Sequence, residues 1–176
     1  MTTIERTNEL TLKGNPLTVI GPRLQPGDKF PAVKLTAPDW SAVDLASFSN
    51  HIRLISVVPS LDTGICDAQT KRFNEEAEKL GDRVKVITVS ADLPWAQRRW
   101  MNDAEVKNIT VLSDHAEMAF GDAVGTHVKE MRIEQRAVFV VDKDDTIVYA
   151  EYVPEIAQHP NYDAALEAVH KLLSQS

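Results

Sequence analysis

A short apolar run followed by a helix with the only cysteine constrains this chain more than any other feature. Leu54-Ile55-Ser56-Val57-Val58 has the length and β-branching of a buried strand, and it stops at Pro59. After a break at Gly64, residues follow the spacing of an α-helix. Five of them would share one face of that helix: Cys66, Thr70, Phe73, Ala77 and Leu80. The pattern predicts that Cys66 lies in the first turn of a helix that follows a central strand.

The predicted position of Cys66 is compatible with two roles. Unpaired backbone N–H groups and the positive end of the helix dipole favour a thiolate over a thiol, as a reactive cysteine requires. A free cysteine can equally act as a small hydrophobic residue, and Cys66 is the first residue of the apolar stripe. Position alone leaves both interpretations open.

Composition limits the class of protein. A length of 176 residues with 43% hydrophobic content predicts one domain over residues 1–176. The net charge of -7 argues against a nucleic-acid or anionic-membrane partner, and one cysteine cannot form an internal disulfide. No apolar run approaches the ~20 residues of a membrane span, and the first residues lack the apolar segment of a signal peptide. We therefore expect a soluble, cytoplasmic protein.

The other elements alternate between strand and helix patterns. They are a hairpin over 9–20 centred on Gly14-Asn15-Pro16, short strands at 32–35 and 43–45, a strand at 84–89, a helix capped by Asp92, a strand at 109–112, a helical stretch at 115–120, a loop at 121–130, paired strands at 137–141 and 146–153, and a helix at 161–173. This order predicts an α/β, thioredoxin-like fold with a mixed central sheet flanked by helices and an added N-terminal β-hairpin.

Four segments together resemble the bacterial thiol peroxidases, a branch of the peroxiredoxins. The segments are Pro59-Ser60-Leu61-Asp62-Thr63-Gly64-Ile65-Cys66, Ser90-Ala91-Asp92-Leu93-Pro94-Trp95-Ala96-Gln97, Arg136-Ala137-Val138-Phe139-Val140 and Asn161-Tyr162-Asp163-Ala164-Ala165-Leu166. The resemblance begins at the N-terminal hairpin and covers nearly the whole chain. It implies the peroxiredoxin form of the thioredoxin-like fold.

The resemblance also implies roles for four residues. Cys66 would be the peroxidatic cysteine, which attacks hydrogen peroxide or an organic hydroperoxide and becomes a sulfenic acid. Thr63 would hydrogen-bond the thiolate and the peroxide, Pro59 would shield the site from water, and Arg136 would place its guanidinium beside the sulfur. A guanidinium is a permanent cation that stabilises a thiolate and offers donors to the leaving oxygen.

Each of these residues also has a simpler interpretation. Thr63 could be only a helix N-cap, and Pro59 could simply end a strand. Arg136 could be a solvated charge at the start of a strand. Their joint occurrence in the family's order favours the catalytic interpretation.

The chain departs from the family at one important position. Most such thiol peroxidases carry a second, resolving cysteine in the helix after Ser-Ala-Asp-Leu-Pro, and Met101 stands there in this chain. A thioether cannot resolve a sulfenic acid, although methionine does fill gaps in a core. Two explanations are open: a natural one-cysteine member, or a variant in which the resolving cysteine has been replaced. We favour the natural member, because serine or alanine would be the usual replacement, and expect reduction by an external thiol, either a thioredoxin-type protein or a thiol of low molecular weight. The family further implies a homodimer, with Trp95 and Trp100 as core or interface anchors.

Other functional classes fit the sequence less well. A redox sensor that signals through oxidised Cys66 shares the sulfur chemistry and would differ only in lacking turnover. A thioredoxin-type disulfide reductase needs Cys-x-x-Cys, and position 69 is Gln. The five histidines lack a ligand spacing, and no glycine-rich phosphate loop is present. We expect neither a metal nor a cofactor.

Overall fold

The computed structural model describes residues 3–175, which form eleven strands and four α-helices. The strands are β1 (Glu5–Leu12), β2 (Asn15–Ile20), β3 (Lys34–Thr36), β4 (Ala42–Asp44), β5 (Ile52–Val57), β6 (Val84–Ser90), β7 (Thr110–Ser113), β8 (His127–Val128), β9 (Ile133–Glu134), β10 (Ala137–Val141) and β11 (Ile147–Tyr152). The helices are α1 (Gly64–Leu80), α2 (Pro94–Asp103), α3 (Ala119–Val124) and α4 (Tyr162–Ser174). Within this part of the chain, no helix combines the length and the apolar character that a membrane span requires.

The strand that precedes Cys66 lies inside a seven-stranded mixed sheet. The strand order is β11-β10-β5-β6-β7-β3-β4. β5, β6 and β7 run parallel, whereas β10 pairs antiparallel with both β5 and β11. Every residue of β5 is buried, as its unbroken apolar run predicts for a strand covered on both faces. The carboxyl ends of β5 and β6 therefore lie side by side, and their following loops meet at one edge of the sheet.

The two faces of this sheet support separate cores. Successive side chains of a strand point to opposite faces. Leu54 packs on the face covered by α1 and α4, while Ile55 packs on the other face with Phe120 of α3. The stripe predicted for α1 is buried throughout, because it is the side of the helix that faces the sheet.

The predicted N-terminal hairpin forms, and it belongs to a second sheet. This four-stranded sheet has the order β1-β2-β8-β9. The turn consists of Lys13 and Gly14, both with positive φ, so β2 already begins at Asn15. The hairpin is fastened to the chain after β11, since Thr11 donates to the carbonyl of Pro154 at 2.9 Å and accepts from the N–H of Ile156 at 2.9 Å. This pairing brings the end of the hairpin to the neighbourhood of Cys66.

The prediction of a loop over 121–130 is wrong in part. Helix α3 continues to Val124, and β8 occupies His127–Val128. The helix also begins later than predicted, at Ala119 instead of near residue 115. Both elements are short, and β8 exists because β2 and β9 pair with it from distant parts of the chain. Local patterns carry little information about such pairing.

The prediction that Asp92 caps a helix is also wrong. Helix α2 has Leu93 as its N-cap residue, with no side-chain cap, and Pro94 in its first turn. The carboxylate of Asp92 points instead to the loop after β5, where it accepts from the N–H of Leu61 at 2.8 Å and from the Ser60 hydroxyl at 2.8 Å. Asp92 therefore connects the carboxyl ends of the two central parallel strands.

Candidate active site around Cys66

Cys66 is the third residue of α1. The chain leaves β5 at Val57, passes through Pro59 to Thr63, and enters the helix at Gly64. Thr63 has extended backbone angles and is the N-cap residue, with its hydroxyl accepting from the N–H of Cys66 at 3.3 Å. Cys66 thus lies where unpaired N–H groups and the positive end of the helix dipole favour an anion, as predicted from sequence.

Thr63 is the N-cap residue of α1, as the simpler of its two interpretations predicts. Its backbone carbonyl also accepts from the N–H of Asp67 at 2.9 Å, the first hydrogen bond of the helix. The side chain is exposed on the outer side of the turn that buries Cys66. A hydroxyl that fixes the first turn in this way is compatible with a second role toward a bound peroxide.

The thiol of Cys66 is completely covered, with 0% of the residue exposed. It belongs to the core that contains Phe73 and Leu54. Pro59 is buried at the start of the loop, directly after the central strand. In this conformation no part of Cys66 is open to solvent.

Arg136 is buried beside α1, with 1% of the residue exposed. Its guanidinium donates to the side-chain oxygen of Gln69 at 2.9 Å and to the carbonyl of Ile156 at 3.0 Å. The third nitrogen, Nε, has no partner within residues 3–175. The interpretation of Arg136 as a solvated charge is therefore wrong, because the side chain is held inside the protein by a helix residue one turn from Cys66.

Gln69 is a site residue that the sequence analysis missed. It is fully buried, accepts from Arg136, and donates from Nε2 to the hydroxyl of Ser56 at 2.7 Å. The direction of the amide follows from the chemistry, because a guanidinium only donates and so must face the amide oxygen. The sequence feature that could have identified it is a polar glutamine on the buried face of α1, three residues after Cys66.

A cavity of about 330 Å³ opens where the hairpin, the start of α1 and the segment after β11 meet. Its lining includes two of the predicted site residues, Thr63 and Arg136, and is otherwise mostly apolar. The other lining residues are Leu12, Gly64, Ile65, Ile156 and Ala157. The cavity thus combines one cation and one hydroxyl with apolar walls, next to the turn that contains Cys66.

Tyr162, at the start of α4, lies in the same electrostatic neighbourhood. Burial raises the pKa of its phenol, while the charges of Arg136 and Arg72 act in the opposite direction and Cys66 adds to the rise. Its ring packs edge-on against Phe73 of α1, with ring centroids 5.5 Å apart. The phenol therefore gives up its proton less readily than a free tyrosine does.

Helix α2 packs next to the start of α1 and contains Met101. Trp100 donates from its indole nitrogen to the carboxylate of Asp67 at 2.9 Å, which fastens α2 to the residue after Cys66. Met101 is half-buried against the core that includes Cys66, as expected for a gap-filling methionine. Trp95 points outward instead, with 67% of the residue exposed.

Comparison with known proteins connects this geometry to a family. The sequence profile of the Redoxin family matches residues 25–166. The chain is 47% identical over 165 residues to the thiol peroxidase of Bacillus subtilis, covering 94% of this chain and 98% of that protein. It is 49% identical over 164 residues to the thiol peroxidase of Halalkalibacterium halodurans, covering 93% and 98%. The chain belongs to the Redoxin family, among the bacterial thiol peroxidases.

Solved structures of the family share the fold. A peroxiredoxin-like protein from Aquifex aeolicus is 35% identical and superimposes with a TM-score of 0.87 over 98% of this chain and 99% of that one. The thiol peroxidase from Chromobacterium violaceum, at 20% identity, has the same fold with a TM-score of 0.83 over 95% and 98%. The predicted thioredoxin-like peroxiredoxin fold is thus confirmed. Among residues 3–175, no group of three or more His, Cys, Asp or Glu side chains is arranged to hold a metal ion.

Proposed function

We propose that this chain is a thiol-dependent peroxidase that reduces hydrogen peroxide and organic hydroperoxides at Cys66. One observation carries the proposal: the only cysteine lies in the first turn of α1, beside a cavity lined by both Thr63 and Arg136. A thiolate is stabilised at a helix N-terminus and by a nearby guanidinium. The thiol peroxidases among the relatives support the same activity.

In the first half-reaction, the Cys66 thiolate attacks one oxygen of the hydroperoxide. The O–O bond breaks, the second oxygen leaves with a proton as an alcohol or water, and Cys66 becomes a sulfenic acid. Arg136 donates hydrogen bonds to the charge that develops on the leaving oxygen, and its unpartnered Nε is an available donor. Thr63 orients the peroxide with its hydroxyl, and Pro59 keeps water from the sulfur.

In the second half-reaction, two equivalents of an external thiol restore Cys66. The first displaces water from the sulfenic acid and forms a mixed disulfide, and the second releases the Cys66 thiol and leaves the donor as a disulfide. No second cysteine exists in the chain, and Met101 cannot take this part. The donor is a thioredoxin-type protein or a thiol of low molecular weight. The need for an external thiol and the presence of a free cysteine both fit a cytoplasmic location, because thiols are kept reduced there.

The cavity favours substrates with an apolar group. Leu12, Ile65 and Ile156 are the large apolar side chains of its lining, and its volume is sufficient for a small alkyl chain next to the peroxide group. We expect organic hydroperoxides to react faster than hydrogen peroxide, because burying an alkyl group gives additional binding energy in the transition state.

Intact mass spectrometry after one equivalent of hydroperoxide tests the proposal. We expect a gain of one oxygen that a sulfenic-acid reagent traps at Cys66, and no change in the matched Cys66→Ser variant. Steady peroxide consumption with a thiol donor distinguishes an enzyme from a redox sensor, which would be oxidised once and would not turn over. Unmodified Cys66 after peroxide treatment would end the peroxidase proposal.

We further propose that the protein acts as a homodimer through an exposed aromatic patch. The patch consists of Trp40, Leu93 and Trp95, which are 42%, 48% and 67% exposed. The rings of Trp40 and Trp95 pack against each other, with centroids 4.9 Å apart and planes inclined by 59°. Exposed tryptophans are typical anchors of protein interfaces. Solution scattering should report a dimer that Trp95→Glu dissociates, while Met131→Glu, at another exposed apolar residue, should leave it intact.

A further inference from the structure

A buried pair of carboxyl groups lies close to Arg136 in the chain. Glu134, the last residue of β9, is 0% exposed, and Asp114, which follows β7, is 4% exposed. The two side chains form a hydrogen bond with each other. Among residues 3–175, neither carboxyl forms a salt bridge with a lysine or an arginine. Two buried negative charges without a cation are costly, so the pair must hold a proton.

The other hydrogen bonds of the pair indicate which residue carries this proton. Both oxygens of Asp114 accept from backbone N–H groups, those of Phe120 at 3.0 Å and Gly121 at 2.9 Å. Of the two oxygens of Glu134, Oε2 accepts from the hydroxyl of Thr126 at 2.5 Å, whereas Oε1 has no donor in the described part of the chain. A carboxylate only accepts, so one member of the pair must be protonated. Glu134 is therefore the donor, and Asp114 stays ionised.

Two other titratable groups lie beside the pair. Burial raises the pKa of Glu134 well above 4.5, the hydrogen bond and charge of Asp114 add to the rise, and the charge of Asp122 in α3 adds further. His127 of β8 pairs with Glu134 across the sheet, but its Nδ1 donates to the carboxylate of Asp122 at 2.7 Å. The surroundings of Glu134 thus favour its protonated form.

The acid pair anchors the segment that leads to Arg136. The next residue, Gln135, donates its N–H to the carbonyl of Thr126 at 2.6 Å and its side-chain amide to the carbonyl of Val153 at 3.0 Å. The carbonyl of Arg136 accepts from the N–H of Val153 at 3.0 Å. Glu134 and Gln135 are therefore both bound to Thr126, one through its side chain and one through its backbone. Three consecutive residues are held at successive points, and the last of them is Arg136.

We propose that Glu134, by donating a hydrogen bond to Asp114, is a positioning residue for Arg136. The inference rests on the proposed function, in which Arg136 donates to the leaving oxygen. Glu134 is not among the residues that line the cavity, so it acts through the two residues that follow it. Without the shared proton, the two buried carboxylates repel each other, and displacement of residues 134–136 relieves that repulsion. The guanidinium then leaves the position that its bond to Gln69 defines.

Two substitutions separate the hydrogen bond from the shape of the side chain. Glu134→Gln keeps a donor for Asp114 and an acceptor for Thr126, whereas Glu134→Met keeps neither. Both replacements are unbranched like glutamate, which the close contact with the backbone of α3 at Gly121 requires. We expect Glu134→Met to slow the oxidation of Cys66 by hydroperoxide about tenfold and Glu134→Gln to stay within about twofold of wild type, because a small displacement of a reacting group is costly.

A double-mutant cycle with Arg136→Ala tests whether Glu134 acts through the guanidinium. In the Arg136→Ala background, Glu134→Met should slow oxidation no further, because the group that it positions is already absent. A general structural defect would slow oxidation by the same factor in both backgrounds. That outcome would overturn the proposal.

Nuclear magnetic resonance tests the positioning without any activity. The Nε–H group of Arg136 is buried and has no partner in the described part of the chain, and its signal is identified by its loss in Arg136→Ala. The signal should shift in Glu134→Met and stay in place in Glu134→Gln. The carboxyl carbon of Glu134 should show a protonated acid at pH 7. An unmoved Nε–H signal in Glu134→Met, or an ionised Glu134, would contradict the proposal. If wild-type Cys66 is not oxidised, the peroxidase proposal fails, but these signals still test the acid pair.

Thr126→Val serves if Glu134→Met does not fold. It removes the hydroxyl that donates to Oε2 of Glu134 and should slow oxidation by a smaller factor. Thr88→Val is the matched control, since Thr88 is equally buried but its hydroxyl has no partner among the residues that the structure describes. It should be oxidised at the wild-type rate. Equal rates in the two valine variants would then overturn the proposal.

Discussion

The guanidinium of Arg136 donates to the side-chain oxygen of Gln69 at 2.9 Å, which fastens strand β10 to the helix that contains Cys66. Both residues are buried, and Gln69 continues the chain of hydrogen bonds to Ser56 of β5. The guanidinium is thus held from two directions, by Gln69 of α1 and by the carbonyl of Ile156 at 3.0 Å.

Removing the guanidinium should slow oxidation of Cys66. We expect Arg136→Ala to lower the second-order rate with hydroperoxide about 10²-fold, because donors to the developing charge are lost. Stopped-flow rates with hydroperoxide in excess measure this effect.

Arg53→Ala is the matched control for this experiment. Arg53 is also a buried arginine, 4% exposed, but it bonds to Asp145 near the opposite end of β5. It should cost stability and leave the oxidation rate unchanged. An unchanged rate in Arg136→Ala would remove Arg136 from the site.

Gln69→Leu should impair both stability and oxidation. The substitution leaves a guanidinium donor and the Ser56 hydroxyl without a partner inside the protein, a cost of about 1–3 kcal/mol for each buried group. Oxidation should slow because Arg136 is then positioned from one side only. Denaturant unfolding and stopped-flow rates are the measurements.

Gln97→Leu separates these two effects. Gln97 is equally buried and donates to Ser90 and to the carbonyl of Leu112, with no contact to Arg136. It should lose comparable stability and oxidise at nearly the wild-type rate. If the two variants oxidise equally fast, Gln69 is a structural residue only.

Met101→Cys should change the product of oxidation. Met101 packs against the core that includes Cys66, on a helix that Trp100 fastens to Asp67. A thiol at this position can displace water from the sulfenic acid and form a disulfide with Cys66. Intact mass should show a loss of two hydrogens instead of a gain of one oxygen, and better resistance to excess peroxide. Asn102→Cys, at an exposed neighbour, should keep the oxygen; loss of hydrogens in both variants would contradict a specific pairing.

The buried carboxyl of Glu134 should make stability depend on pH. Glu134 is 0% exposed, and its Oε2 accepts from the hydroxyl of Thr126 at 2.5 Å. Burial raises its pKa well above the ordinary value of 4.5, and a hydrogen bond to Asp114 and the charge of that residue add to the rise. The folded state therefore holds a proton that the unfolded chain releases above pH 4.5.

The sign follows from this difference in bound protons. The contribution of Glu134 is complete below the unfolded pKa and is lost as pH rises toward the folded pKa, at about 1.4 kcal/mol per pH unit. Glu134→Gln, which cannot ionise, should lack this slope and gain relative stability in alkaline solution. Urea unfolding from pH 5 to 9 measures it, with exposed Glu105→Gln as control. Parallel pH profiles for all three proteins would show that Glu134 does not bind this proton.

The strongest sequence signals described local structure well. The apolar run before Pro59 became the buried strand β5, and the spacing from Cys66 to Leu80 became the buried face of α1. Segments with weaker periodicity were less predictable. The region 121–130 contains the end of α3 and a two-residue strand, whose existence depends on partners more than 100 residues away in β2.

The contacts of the candidate site residues were less predictable from sequence than the residues themselves. The sequence named Thr63, Cys66 and Arg136 as candidates, and these roles stay predictions. It did not show the burial of Arg136 or its bond to Gln69. Asp92 was assigned to the helix that follows it, where an aspartate is a common N-cap. Its carboxylate instead satisfies the neighbouring loop, because β5 and β6 lie side by side in the sheet.

The sequence by itself determined most of the helices and strands, the family and the absence of a second thiol, because these depend on residue types and their local spacing. Only the tertiary structure decided which polar side chains meet: Gln69 with Arg136, Asp92 with Ser60 and Leu61, and Glu134 with Thr126. A buried polar group must find a partner wherever the fold provides one. Those partners come from strands and loops far apart in the chain, so their identity follows from strand order and helix packing and not from spacing along the sequence.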